Sequence, residues 1–219
     1  MTVAEKLTRV AENTNRVFDA GRAKEYGAFW DAFQKNGKRT NYRYAFYSVN
    51  SGAWDDALYN PKYPIVCDGV SSSSADSMFY GAMITDTKVD IDVSNAGGSY
   101  TFLNCSNLKT VRKLIASKNT TFNRWFDGCT ALETVNFEGV IANDINLQWS
   151  TKLSENSIES ILRAAYERPD PYATPLTVTL SKTAVDKAYE TSEGANDGST
   201  GDLWVYGWAA NANFNINLL

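Results

Sequence analysis

The decapeptides FLNCSNLKTV at 102–111 and FDGCTALETV at 126–135 agree at five of ten positions and begin 24 residues apart. A short apolar pattern repeated at a fixed interval constrains a chain strongly. Each unit buries its hydrophobic face only against its neighbours, so equivalent side chains must occupy equivalent surroundings. Phe102, Cys105, Leu108 and Val111 in one copy correspond to Phe126, Cys129, Leu132 and Val135 in the other. A weaker copy starts at Phe79, with Ala82 in the cysteine slot. These nine apolar residues are the expected stacked core, while small Cys, Asn and Gly suit tight corners. Short strands are expected to follow the copies at 110–115 and 134–140, and to continue at 145–149, 176–180 and 214–218.

Outside the copies the chain changes character. Residues 2–35 read as helical: Thr2 and Glu5 fit a capping box, and Val3, Leu7, Val10, Thr14, Val17 and Gly21 follow a 3–4 spacing. Two uses are open, a helix packed on its own domain or a short oligomerising coil, with Thr14 and Gly21 weakening the seam. Between residues 26 and 63 lie 11 of the 28 aromatic residues. The alternation of Tyr42, Tyr44 and Phe46 predicts a strand with one aromatic face. Such a segment serves either as a cap over the open end of a stack or as a platform for flat ligands. Ser71–Ser74 marks a boundary. Toward the C-terminus, Ser154 predicts an N-cap before a helix with Ile158, Ile161, Leu162 and Ala165 on its apolar face, and a second short helix is expected over 183–189.

The F-x-x-C-[ST]-x-L-x-T-V units at 102–115 and 126–140 resemble leucine-rich repeats of the bacterial surface-antigen (BspA-like) type. A wider likeness runs through MTVAEKLTRVAEN, EYGAFWDAFQKNGKRTNYRYAF, FEGVIANDINLQWS, LSENSIESILRAA, TVTLSKTAV and NFNINLL. That layout resembles small repeat proteins encoded in phages and prophages of Gram-positive gut bacteria. GDLWVYGWAANANFNINLL is longer and richer in Trp and Asn than the resembling ends. The expected fold is therefore α+β: a short leucine-rich-repeat-like β-solenoid with an N-terminal helix and helix/strand caps. Its expected parts are a helix at 1–36 for attachment or oligomerisation, an aromatic-rich cap at 37–75, repeats at 76–150 and a C-terminal cap at 151–219.

Composition narrows the chemistry. A net charge of −4 offers no field for polyanions, so no nucleic-acid partner is expected. No apolar run suits a bilayer, and the N-terminus lacks a secretory signal core, so synthesis in the host cytoplasm is expected. The chain has no histidine, which removes the usual general base and commonest metal ligand. Cys105 and Cys129 share one slot of adjacent copies and are either reduced core residues or a disulfide; a reactive thiol is the third option. Asp90 and Asp92 fit either an exposed strand face or a carboxylate pair for glycoside hydrolysis. Asn196, Asp197 and Asp202 lie in a glycine-rich loop, solvated or calcium-binding, without the EF-hand pattern.

No cofactor, metal or catalytic residue is expected. The resemblance implies a non-enzymatic, virion- or tail-associated protein whose repeat surface meets other virion proteins or a bacterial surface, with dimers or trimers through the N-terminal helix. The alternative is a carbohydrate-binding module for cell-wall or surface glycans, with Trp54, Tyr59, Trp204, Tyr206 and Trp208 as stacking residues.

Overall fold

The computed structural model describes residues 38–39, 42–43, 45–46, 61, 63–69, 73–166, 175–191 and 214–219. In chain order these form β1 (Lys38–Arg39), β2 (Ile65–Cys67), β3 (Ile91–Asp92), β4 (Thr110–Ala116), β5 (Thr134–Gly139), β6 (Ile145–Leu147), helix α1 (Glu155–Tyr166), β7 (Leu176–Leu180), helix α2 (Lys182–Thr191) and β8 (Phe214–Leu218). Two sheets result, ordered β1-β2-β3-β4-β5 and β6-β7-β8, with every described pairing parallel.

A parallel pair requires a crossover between its strands. Here the crossovers are themselves laddered. Phe79 N–H donates to the Thr101 carbonyl at 2.7 Å, and Phe102 N–H donates to that of Trp125 at 3.1 Å. Gly81 and Asn104 repeat the pattern on Leu103 and Asp127 at 2.7 and 2.8 Å. The turns need left-handed backbone at matching places: Gly81 (φ 65°), Asn104 (59°) and Gly128 (75°) form one column. Asparagine tolerates this region and glycine enters it freely. A Cβ on Gly128 would also lie 2.6 Å from Asn104 Oδ1.

The repeating register stacks like on like. The rings of Phe46, Phe79, Phe102 and Phe126 follow one another at centroid distances of 4.7, 5.2 and 5.6 Å, within 23° of parallel. Leu108 and Leu132, and Val111 and Val135, are fully buried below the rings. Trp125 is also fully buried, with its indole N–H satisfied by the Gly98 carbonyl at 2.9 Å.

The expected α+β class built on a leucine-rich-repeat β-solenoid is corrected. The structure is a mixed α/β arrangement of two separate parallel sheets, with two helices among the described residues. The physical reason lies at the outer edge of β5, where α1 takes the place of a further strand. Val135 N–H donates to Ser157 Oγ at 3.0 Å, and Phe137 N–H to Ser160 Oγ at 3.3 Å. Ser160 Oγ–H donates back to the Val135 carbonyl at 3.1 Å, and Ser154 N–H to that of Glu133 at 2.8 Å. Hydroxyls thus satisfy the edge that a strand would otherwise extend, and β6 opens a separate sheet.

Helix α1 has the expected apolar face, with Ile158, Ile161, Leu162 and Ala165 buried. The expected strand through Tyr42 and Phe46 is also corrected, because Tyr42, Arg43, Ala45 and Phe46 lie in a turn segment. Tyr42 and Phe46 are both buried, and Ala45 N–H donates to the Tyr42 carbonyl at 2.9 Å, so the aromatics follow a turn spacing. The expected helix at 1–36 lies outside the described residues.

Ser157→Ala leaves a buried N–H of β5 without its acceptor and is expected to cost about 1–3 kcal/mol. Chemical denaturation checks this, with Asn156→Ala on the exposed side of α1 expected to lie within about 0.5 kcal/mol of the parent.

Candidate functional site

The nine stacked positions expected from the sequence serve the interior. Phe79, Phe102, Cys105, Leu108, Val111, Phe126, Cys129, Leu132 and Val135 are all fully buried. The thiols face neighbouring passes of the chain: Cys105 Sγ–H donates to the Phe79 carbonyl at 2.8 Å, and Cys129 Sγ–H to that of Phe102 at 3.1 Å. Cys67 donates likewise to the Ser74 carbonyl at 3.5 Å. All three thiols are free, so no disulfide joins Cys105 to Cys129. Burial pushes each thiol upward, Cys105 well above its ordinary range and Cys129 to about 12. Thiolate is the reactive form, and these sites suppress it.

Asp90 and Asp92, on either side of Ile91 at β3, have separate structural partners. Asp90 lies 4.0 Å from Lys113 Nζ, and Asp92 Oδ1 accepts from Ser94 N–H at 2.9 Å. Lys113 also meets Glu138 at 2.8 Å, and hydrogen bonding to that carboxylate raises the Lys113 pKa. Arg112 reaches Asp86 at 3.4 Å, and Asn136 Nδ2 donates to the Arg112 carbonyl at 2.8 Å. Charges from β4, β5 and the strand-flanking segments therefore form a partly exposed, mixed-sign face across the five-stranded sheet.

A cleft of about 740 Å³ opens where the last turn of that stack meets the second sheet. This volume falls within the roughly 300–1,000 Å³ of small-molecule sites. The turn contributes Asn123, Arg124 and Asp127, and the approach to β6 contributes Asn143 and Asp144. From the strands come Asn146, Thr177 and Thr179. Registry explains why these last residues share one face: Asn146 pairs with Thr179, Thr179 with Asn217, and Thr177 with Asn215. Their neighbours Ile145, Leu147, Leu176, Val178 and Leu180 point into the core.

The cleft's charges are engaged. Arg124 Nε bonds Asp127 Oδ2 at 2.8 Å while its guanidinium carbon lies 5.7 Å from the centre of the Tyr100 ring. Asp144 Oδ1 accepts from Thr177 N–H at 2.7 Å, and Asn143 Nδ2 donates to the Thr120 carbonyl at 2.7 Å. Sequence reading missed this site because its parts come from three distant segments. The alternations N-L around 147, T-V-T at 177–179 and N-I-N at 215–217 were its visible signal: uncharged polar residues on one face of successive strands.

Trp54, Tyr59, Trp204, Tyr206 and Trp208, proposed for stacking on sugars, lie outside the described residues, as do Asn196, Asp197 and Asp202. Among the described residues, no group of three potential ligands suits a metal ion, and no helix is long and apolar enough to cross a membrane. No family model, curated protein or solved structure matches this chain.

The buried thiols give two expectations. A thiol-specific reagent at pH 8 is expected to label none of the three in the native protein and all three after denaturation. For pH, the sign follows from the raised folded-state pKa values. Stability from keeping the thiols protonated is intact below the unfolded value of about 8.5, and it falls as pH rises from there toward 12. Thermal unfolding across pH 7–11 checks this, because Cys129→Ala should make the alkaline decline shallower.

Proposed function

We propose that this chain is a non-enzymatic structural protein of a phage or prophage virion, associated with the tail, whose polar sheet face meets a partner protein or a host surface. The observation that carries the reading is the face spanning β3, β4 and β5. There Arg112 and Lys113 are held between Asp86, Asp90 and Glu138 on adjoining segments while the thiols remain within the core. Charges fixed by a sheet are pre-oriented, which favours steering and register with a partner over chemistry. Exposed ion pairs of this kind contribute little to stability, which leaves the face available for recognition.

The likeness to small phage-encoded repeat proteins supplies the setting, and the capping-box and heptad-like sequence pattern over residues 2–35 supports attachment through the N-terminal segment. In this reading the helix assembles dimers or trimers and the remainder points outward.

The test is the protein content of virions purified from the producing strain, together with light scattering of the full chain and of a form lacking residues 1–36. The expected result is co-sedimentation with virions, an oligomeric full chain and a folded monomeric truncation. Absence of the chain from virions would remove the structural-protein reading. Monomers in both samples would return the helix to its own domain. Exchanging Lys113 and Arg112 for glutamate is expected to leave the melting temperature within a few degrees while reducing partner capture about tenfold or more at low salt.

A further inference from the structure

The cleft beside β6 and β7 contains hydrogen-bonding capacity that the fold does not use. Thr179 lines it, is only 7% exposed, and has no side-chain hydrogen-bond partner among the described residues. Its hydroxyl is not enclosed by the fold and opens onto the cleft, where a ligand can reach it. Thr179 is on the central strand of its sheet, where a β-branched apolar residue would fit the same pleat, so the fold does not need its hydroxyl. The Thr177 hydroxyl and the Asn146 amide N–H groups on the same face are likewise uncommitted among the described residues.

The chemistry of the lining selects the ligand class. The guanidinium of Arg124 is engaged by Asp127, and Asp144 is engaged by the backbone of β7. An anion such as phosphate would require unengaged cations. An extended peptide would add to a strand edge, whereas this cleft presents the face of a sheet. What remains is a set of amides and hydroxyls, each able to donate and accept, beside the apolar groups of Pro175 and Ala142. A pyranose has the same division, with hydroxyls around its rim and C–H groups on its faces.

We propose that this cleft binds a neutral carbohydrate, with sugar hydroxyls bonded to Thr179, Thr177, Asn146 and Asn123 and a C–H face against Pro175 and Ala142. The site is separate from the charged sheet face. It adds a ligand class to the proposed recognition role, and its failure would leave virion incorporation untouched.

The experiment uses the full chain and a panel of neutral oligosaccharides with gluco, galacto, manno and N-acetylglucosamine units, read by saturation-transfer NMR and then calorimetry. The parent is expected to bind at least one member. Thr179→Val removes one hydroxyl and keeps the shape, so it is expected to weaken that binding about fivefold to tenfold while leaving the melting temperature unchanged or higher. A threonine needed only for the fold would lower the melting temperature instead. Asn123→Ala, at an exposed position whose amide otherwise donates only to Ser99 Oγ at 3.2 Å among the described residues, provides a second variant and is expected to weaken binding without loss of fold. Failure of the parent to bind any panel member at millimolar concentration overturns the proposal. Binding that survives both substitutions, or that depends instead on Trp204 and Trp208, also overturns it.

Discussion

The hydrogen bonds between successive passes of the repeat, 22 to 24 residues apart, are the constraint on which the remaining structure depends. They act on the strand side, as in the pairing of Val111 with Val135, and on the turn side, as between Asn104 and Asp127. Once both sides are fixed, a residue's place in the sequence determines its neighbour in space. A phenylalanine falls on a phenylalanine and a cysteine under the carbonyl of the preceding pass. The conformational cost is concentrated in the turns, where Tyr100 and Arg124 adopt left-handed backbone at φ 63° and 54° without the freedom of glycine. Their side chains meet above the turn surface, so the same register that strains them also brings cation and ring together.

A ladder of this kind must end, because an uncovered parallel edge exposes a row of donors and acceptors. Helix α1 ends it through Ser157 and Ser160, which have hydroxyls able to serve both the N–H and C=O groups of β5. The arrangement joins two demands on the helix. Ile158, Ile161 and Leu162 bury its apolar stripe, while serines beside that stripe complete the sheet's hydrogen bonding. Serine is an indifferent helix former, and its use here follows from the needs of the neighbouring strand. The break between the sheets also creates the cleft, since the polar face of β6 and β7 lies beside a turn that no strand covers among the described residues.

Much of the core was legible from sequence because the signal was periodic. Phe, Cys, Leu and Val recurring at one interval required equivalent burial, and the strands after each copy fell close to their expected ranges. The termination was not legible. Ser157 and Ser160 look like ordinary helix residues until the edge of β5 is placed against them, so continuity of pattern suggested continuity of fold. At Tyr42 and Phe46, aromatic alternation suggested a strand, but the ring at Phe46 joins the stack through a turn. The cleft depended on register between β6 and β7, strands separated by α1, and alternation within each strand showed its polar face without showing what it faced.

The two polar surfaces differ in a way that sequence composition conceals. The face across β3, β4 and β5 carries charges whose influence extends through solvent and is screened over about 8–10 Å at ordinary ionic strength. The cleft offers mainly uncharged groups that act only at hydrogen-bond distance. Its geometry is correspondingly stricter: Thr179 is held between Asn146 and Asn217 by strand pairing on both sides, so its hydroxyl is positioned by the sheet rather than by a flexible loop. Pre-positioning reduces the ordering that binding would otherwise require. On the two roles proposed above, encounter through the charged face would weaken with salt, whereas selection in the cleft would depend on ligand stereochemistry and change little over the same range.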